Sequence, residues 1–410
     1  MSAKKRVPKL RFRGFSGEWE EKRIEDITIS FSGGTPVSTN KEYYSGDIPF
    51  IGSGKINSEN VDQYITIEAL ENSSAKIVEE GDLLYALYGA TSGEVGISKI
   101  QGAINQAVLC LRTKENKYFL FRWLQNNKQN ILATYLQGGQ GNLSAQIIKN
   151  LKLQLPNKNE QTKIGNYFQN LNKLIEQKEK KHQKLGQLKK AILEKMFPKE
   201  GATTPEIRFK GFSGEWEEKK LDNLPIYISD GNYGELYPTA KDFKSDGIPF
   251  LRANNIKNLK IDDNNTKYIT PEQHSILISG HLLTNDILIT TRGELGNIAL
   301  IESKHNGSNI NAQICLLRIL DTDILNHLYL LYVLDYKDSK KQYKAFETGT
   351  ALKQLPKGNL VKLKIKLPSI EEQTKIGNYF QKLDNLIDLQ NQELQKLKNI
   401  KKASLAKMFV

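Results

Sequence analysis

The residues able to make or break bonds are few, and their spacing gives them little to do together. Five histidines, His182, His274, His281, His305 and His327, could act as general bases or metal ligands. None has metal-ligand spacing, and none recurs in the other half of a chain that is otherwise duplicated. No GxxxxGK[ST] cradle for phosphates occurs, and GSGKIN at 52–57 is too short to be one. There is no GxSxG elbow to present a nucleophilic serine. The glycine-rich GGQGNLS at 138–144 opens no dinucleotide motif, and its counterpart TALKQLP at 350–356 has lost the glycines. The two cysteines lie in the apolar runs INQAVLCLR and INAQICLLR, which reads as two reduced thiols inside strands rather than a redox pair. No catalytic site, metal site or cofactor of its own is expected for this chain.

The composition is that of a globular protein, with 39% hydrophobic and 26% charged residues. No apolar run approaches the roughly 18 residues of a membrane helix, and the start MSAKKRVPKLRFR lacks the apolar segment of a secretory signal. A cytoplasmic chain without membrane contact is expected. Its 410 residues exceed one ordinary core and imply two or three domains. The net charge of +13 is unevenly placed: +6 in residues 1–13, −2 in 14–159, +5 in 160–198, +1 in 199–371 and +3 in 372–410. The excess therefore sits in the N-terminal tail and two lysine-rich stretches, and it supports an anionic partner only through those.

Those stretches belong to a tandem repeat. GFSGEWEEK occurs at 14–22 and again at 211–219, and EQTKIGNYFQ at 160–169 and 372–381. From the second match, 39 residues align without a gap to KMFP at 195–198 and KMFV at 407–410, which implies that the last residues lie near Leu10 to Phe12. Between the matched ends a skeleton of short apolar runs survives. DIPFIGSGKIN pairs with GIPFLRANNIKN, GDLLYALYG with NDILITTRG, and NLKLQLP with KLKIKLP. These read as strands, with one helix per unit at about 117–136 and 324–345 from spacings such as Leu120, Trp123, Leu124 and Tyr135. Each unit is therefore expected to be a mixed α/β (α+β) domain with a shared framework and different loops. Trp19 and Trp216 in the repeated start are read as apolar anchors of each domain.

The matched tails have heptad spacing. Ile164, Phe168, Leu171 and Ile175 recur as Ile376, Phe380, Leu383 and Ile387, followed by Leu394 and Leu397. That is a coiled-coil seam, on helices of about 37 residues and about 55 Å, each opened by a capping box, Asn157-x-x-Glu160 or Ser369-x-x-Glu372. The matched Gly165 and Gly377 inside these helices are read as points where another helix comes close. A pseudo-two-fold arrangement would pair the helices antiparallel and make them a ruler between two reading heads.

The RFxGFSGEWE opening, the GGTP loop at 33–36, the GDLL/NDIL strand leading to a glycine and the doubled LPxxxEQxKI resemble the specificity (S) subunit of type I restriction-modification systems, the HsdS-like family, over essentially the whole chain. The resemblance implies a target-recognition domain at 1–155, a central helical region at 156–200, a second recognition domain at 201–367 and a C-terminal helical region at 368–410. It implies double-stranded DNA as ligand, read as a bipartite and asymmetric target. Two modification subunits carrying S-adenosylmethionine would methylate adenine, and two restriction subunits carrying ATP and Mg would cut, in a bacterial or archaeal cytoplasm. GGTP is replaced by SDGNYG at 229–234 in the second half, so that loop need not act identically in both.

Within that resemblance, residue type and loop position select the DNA-binding candidates. Base edges are read by Arg, Asn and Gln, while Lys, Ser and Thr hold phosphates. The first domain offers Thr35, Ser38, Asn40, Ser53, Lys55 and Asn57; the second offers Arg252, Asn254, Asn255, Lys257 and Arg292. Asn105, Gln106 and Asn311 are read as turn formers. The alternative is a coiled-coil scaffold presenting two non-DNA ligand-binding heads; a nuclease or methyltransferase fragment is disfavoured by the missing motifs. If the helices are a ruler, four residues inserted near Lys180 lengthen one by about 6 Å, and the accepted DNA spacer should grow by about one or two base pairs. An unchanged spacer in mapped methylation sites sinks the ruler.

Overall fold

Each apolar run forms the strand its pattern implies. The computed structural model describes residues 7–136, 142–350 and 353–410; part of the glycine-rich run at 138–144 and part of its counterpart at 350–356 lie outside them. The chain divides into two units, Met1–Lys180 with Gln392–Val410, and Lys181–Asn391.

In the first unit, Leu83–Ala86 is buried along its whole length, flanked antiparallel by Val95–Ile97 and by Val108–Thr113, which pairs in turn with Thr28–Ser32. A second sheet orders Gln63–Ile65, Ile48–Ile51, Gly102–Ile104 and Lys76–Val78. The second unit repeats the first sheet, with Ile287–Thr290 as the buried strand, and a three-stranded form of the second, ordered Lys267–Ile269, Ile248–Leu251 and Asn309–Ile310. Burial on both faces explains why runs such as LLYA and ILI are apolar rather than alternating. Cys110 and Cys315 lie in this core as free thiols, and burial pushes both up to about 12, so neither is a ready nucleophile.

Each unit closes by pairing its first strand with its last, Glu20–Arg23 with Lys152–Leu155 and Glu217–Lys220 with Lys364–Leu367, both antiparallel. The repeated start precedes this closure. Gly14, Gly17, Gly211 and Gly214 all adopt positive φ, which glycine alone enters freely. The turn they make wraps an arginine: Arg11 donates to Ser16 O and Gly17 O, and Arg208 to Gly214 O. The remaining guanidinium edge grips a helix. Arg11 donates to both oxygens of Glu160 at 2.6 Å, and Arg208 to both of Glu372 at 2.7 Å, with the two carboxylates almost wholly buried. Trp19 and Trp216 are buried in the domain cores, edge-on to Phe119 and Tyr329 respectively.

This changes the reading of the helix starts. Asn157 and Ser369 do accept the amides of Glu160 and Glu372, but the reciprocal half of a capping box is not made, because the arginines hold the carboxylates. The next residue completes the attachment. Gln161 donates to Glu115 and Pro156 O and accepts from the amide of Asn116, and Gln373 repeats this with Ile324 O, Pro368 O and Asn326. Asn116 and Asn326 cap the domain helices, and there Gly165 and Gly377 find their purpose. A Cβ at 165 would lie 2.5 Å from Asn116 Oδ1, and one at 377 only 2.6 Å from Leu328 Cβ and 2.9 Å from Tyr329 N. The close neighbour is the cap of the unit's own helix.

That helix is Lys117–Tyr135 in the first unit, as the spacing implies. In the second it divides into His327–Asp335 and Lys337–Phe346 instead of running through 324–345. Tyr336 turns extended between them and stacks on Phe197 at 5.1 Å, while Ser339 and Tyr343 donate to the released carbonyls of Val333 and Leu334.

The long helices run Lys158–Met196 and Ile370–Met408. Within the first unit their segments are antiparallel: Leu171 and Ile175 pack on Leu394 and Leu397, Lys178 pairs with Glu393, and Tyr167 bonds Ser404 at 3.0 Å. Within the second, Lys189 pairs with Asp384 at 2.5 Å, and Ile192 and Leu193 join the core that holds Phe380. The seam is thus of two kinds. Ile164, Phe168, Ile376, Phe380 and Leu383 pack into the domain cores, Ile387 is half-buried, and the rest join helix to helix. Leu10 donates its amide to Lys407 O at 2.8 Å, as Ile207 does to Lys195 O at 3.0 Å, and Phe409 stacks on Phe168 as Phe197 does on Tyr329.

Removing Arg208 strands a buried carboxylate, which costs about 3–5 kcal/mol. Urea unfolding should show Arg208→Ala lowering stability by about that much, with Arg208→Met/Glu372→Leu recovering most of it. Equal losses in the two variants would contradict this account. Gly377→Ala should destabilise although alanine favours helix by about 1 kcal/mol.

Candidate nucleic-acid interface

The candidate loops owe their grouping to two parallel strand pairs. Ile48–Ile51 runs parallel to Gly102–Ile104, and Ile248–Leu251 to Asn309–Ile310. Neighbouring parallel strands end at the same end of the sheet, so the segments that follow, 52–57 with 105–106 and 252–257 with 311–313, emerge side by side. The loop after the first sheet's edge strand joins them. A Cβ at Gly33 would meet Ile104 O at 1.7 Å, and one at Gly231 would meet Ile310 O at 2.3 Å. GGTP and SDGNYG therefore share a single requirement, a glycine against that carbonyl.

In the second unit Arg252, Asn254 and Arg292 line one cleft of about 620 Å³ with Tyr237, Asn311 and Gln313. Arg252 is steadied by a bond to Asn265 O at 3.0 Å, and the Arg292 guanidinium lies 5.0 Å from the ring centre of Tyr233. Tyr233 donates to Asp230 at 2.8 Å; burial first, and this bond next, push its phenol up to about 12. Asn254 is exposed. Asn255 is fully buried: it accepts from the amide of Arg252 and donates to Asp262 O and Thr266, so it shapes the loop from inside. Lys257 pairs with Asp262 at 2.8 Å and holds that carboxyl below its usual range.

In the first unit Thr35 is exposed and donates to Gln106, while Ser53 is half-buried in the turn beside Asn105. Ser38 is exposed and Asn40 caps the turn Lys41–Tyr44. Lys55 is paired with Asp62 at 2.8 Å. Asn57 is turned onto the strand Val95–Ile97, donating to Val95 O and accepting from Ile97 N. Asn105 and Asn311 accept from the amides two residues on, the turn-forming role their spacing implies. Gln313, exposed at the cleft beside Arg252 and Arg292, escaped sequence reasoning; its only signal was its place next to Gln106 in the aligned runs.

Among the described residues no group of three His, Cys, Asp or Glu could hold a metal, and no helix is long and apolar enough to cross a membrane. The arrangement offers hydrogen-bonding side chains on a rigid edge, which suits recognition.

Similarity to known proteins agrees in both sequence and fold. The chain is 23% identical over 401 residues to the type I restriction enzyme MjaVIII specificity subunit of Methanocaldococcus jannaschii, covering 94% of this chain and 90% of that one. It is 24% identical over 408 residues to that organism's putative MjaX specificity subunit, covering 94% and 91%. The crystal structure of the type I restriction-modification S subunit from M. genitalium superimposes with a TM-score of 0.66 at 17% identity, over 98% of this chain and 99% of that one. A family model for the type I restriction modification DNA specificity domain matches residues 16–187 and 213–399. Two copies of that domain account for both halves of the repeat, and the chain belongs to the type I restriction modification DNA specificity family.

Proposed function

We propose that this chain reads a bipartite, asymmetric DNA target for partner subunits and performs no chemistry itself. The observation that carries this is the pair of equivalent loop edges on one duplicated framework. One edge bears Arg252, Asn254 and Arg292 around a cleft, the other Thr35, Ser38 and Ser53. Guanidinium and amide groups match the donor and acceptor pattern of major-groove base edges. Similar scaffolds with unlike edges imply unlike half-sites. Asn255, Asn57 and Asn40 shape the loops, and Lys55 and Lys257 serve phosphates.

In this reading residues 1–155 and 201–367 are the recognition domains, and the helical regions 156–200 and 368–410 set the spacer and dock two modification subunits, which supply S-adenosylmethionine and methylate adenine. Two restriction subunits with ATP and Mg complete the complex in the cytoplasm.

The test is to map methylated adenines in DNA from cells expressing the chain with its modification partner. A bidentate base contact contributes about 1–3 kcal/mol of discrimination. Arg252→Ala and Arg292→Ala should therefore relax the bases accepted in one half-site by about 5- to 150-fold and leave the other half unchanged. Changes at Thr35 and Ser53 should act on the opposite half. Motifs unaltered by all four variants would remove these residues from the reading surface.

A further inference from the structure

The first unit contains a second cleft, of about 870 Å³, where the helix Lys117–Tyr135 meets the two long helices. Lys99, Arg122, Lys398, Lys401 and Lys402 line it against Glu176 and Glu179. Glu179 is engaged by Lys398 at 2.7 Å, and Lys99 by Glu59 at 3.4 Å. Arg122 is only 6% exposed, yet its partners are the neutral Gln125 and the ring of Phe121, 4.6 Å from the guanidinium. Among the described residues no carboxylate is ion-paired with Arg122, Lys401 or Lys402. Burial pushes Arg122 down to about 10, with Glu176 acting the other way; burial and then Arg122 lower Lys401. A buried cation lacking a paired anion is costly to hold.

The second unit shows what this junction needs to be self-sufficient. Lys189 stands 212 residues before Lys401 and Asp384 the same distance after Asn172, while Tyr332 and Arg122 are both the sixth residue after a helix-capping asparagine. There Lys189 pairs with Asp384 at 2.5 Å, Tyr332 donates to the same carboxylate at 2.8 Å, and Lys189 lies over the Tyr332 ring. That junction carries its own anion. In the first unit the acid has become an amide and the phenol a guanidinium, and although Glu176 lines the cleft and acts on Arg122 and Lys401 electrostatically, it makes no ion pair with either, which leaves room for an anion from outside.

We propose that this cleft binds a backbone phosphate of DNA, held by Arg122 and Lys401 with Lys402 at the rim. The proposal rests on the DNA-reading function and deepens it. A planar guanidinium beside an ammonium suits a phosphate. The cleft also reaches Asn57 and Lys99, and Asn57 ends the loop that carries Ser53 and Lys55. The contact is independent of base sequence and belongs to the first half alone, so the two halves hold the duplex unequally.

The test is binding of the full chain to a random-sequence duplex, followed by fluorescence anisotropy over a low-salt series. The variants are Arg122→Tyr/Asn172→Asp, which installs the second unit's residues, and Lys401→Gln, at a half-buried lysine whose loss leaves the core intact. Each neutralised phosphate contributes a slope of about 0.9 in log K against log salt, so each variant should flatten the slope by about 1 and weaken all sequences alike. Slopes unchanged from a wild type that binds DNA would overturn the phosphate site and leave the reading loops standing. Variants that keep the slope but lose a modification subunit would assign the cleft to an acidic protein segment instead. A wild type that binds no duplex at any salt would overturn both readings.

Discussion

Glu160 and Glu372 sit in the first turn of the two long helices with their carboxylates almost wholly withdrawn from water, each gripped through both oxygens by an arginine far away in sequence. A buried carboxylate cannot remain charged without such a partner. The pair therefore fixes where the helix begins relative to the strand that closes the domain, and everything else is hung on that point. The arginine is in turn held by the glycine turn of GFSGEWE, and the neighbouring glutamine ties the cap of the domain helix to the same spot. Three short motifs, up to 164 positions apart, are one joint.

That joint explains why nine residues recur letter for letter while the strands between copies drift. Strand cores tolerate exchange among apolar residues of similar volume. A two-oxygen grip, two positive-φ glycines and a cap that leaves no room for a Cβ on the facing helix do not. The matched segments are conserved within this chain because geometry leaves no substitute, and the edges that face outward are free to differ. Rigid attachment and variable loops are the combination a two-part reader requires.

Much of this was legible beforehand. The strands, the start of the helix Lys117–Tyr135, both long helices and the buried tryptophans follow from periodicity and apolar runs, because each depends on neighbours in sequence. The loops were legible as loops but not residue by residue. Asn254 and Asn255 are adjacent and identical in type, yet one is exposed and the other wholly enclosed by its own turn. Nothing local distinguishes them. Tyr336 likewise breaks an otherwise helical stretch, its ring stacked on Phe197 from a distant segment.

The sequence by itself determined the tandem repeat, the class of each unit, the absence of recognisable catalytic motifs and the family, since these rest on composition, spacing and matched motifs. Only the tertiary structure decided that the glutamates of EQxKI serve arginines rather than their own helix caps. It also decided that Gly165 and Gly377 admit a capping turn, and that Arg122 has no ion-paired acid where its counterpart Tyr332 bonds one. Those are contacts between residues far apart in the chain, and pairing over such distances is set by packing, which no local pattern encodes.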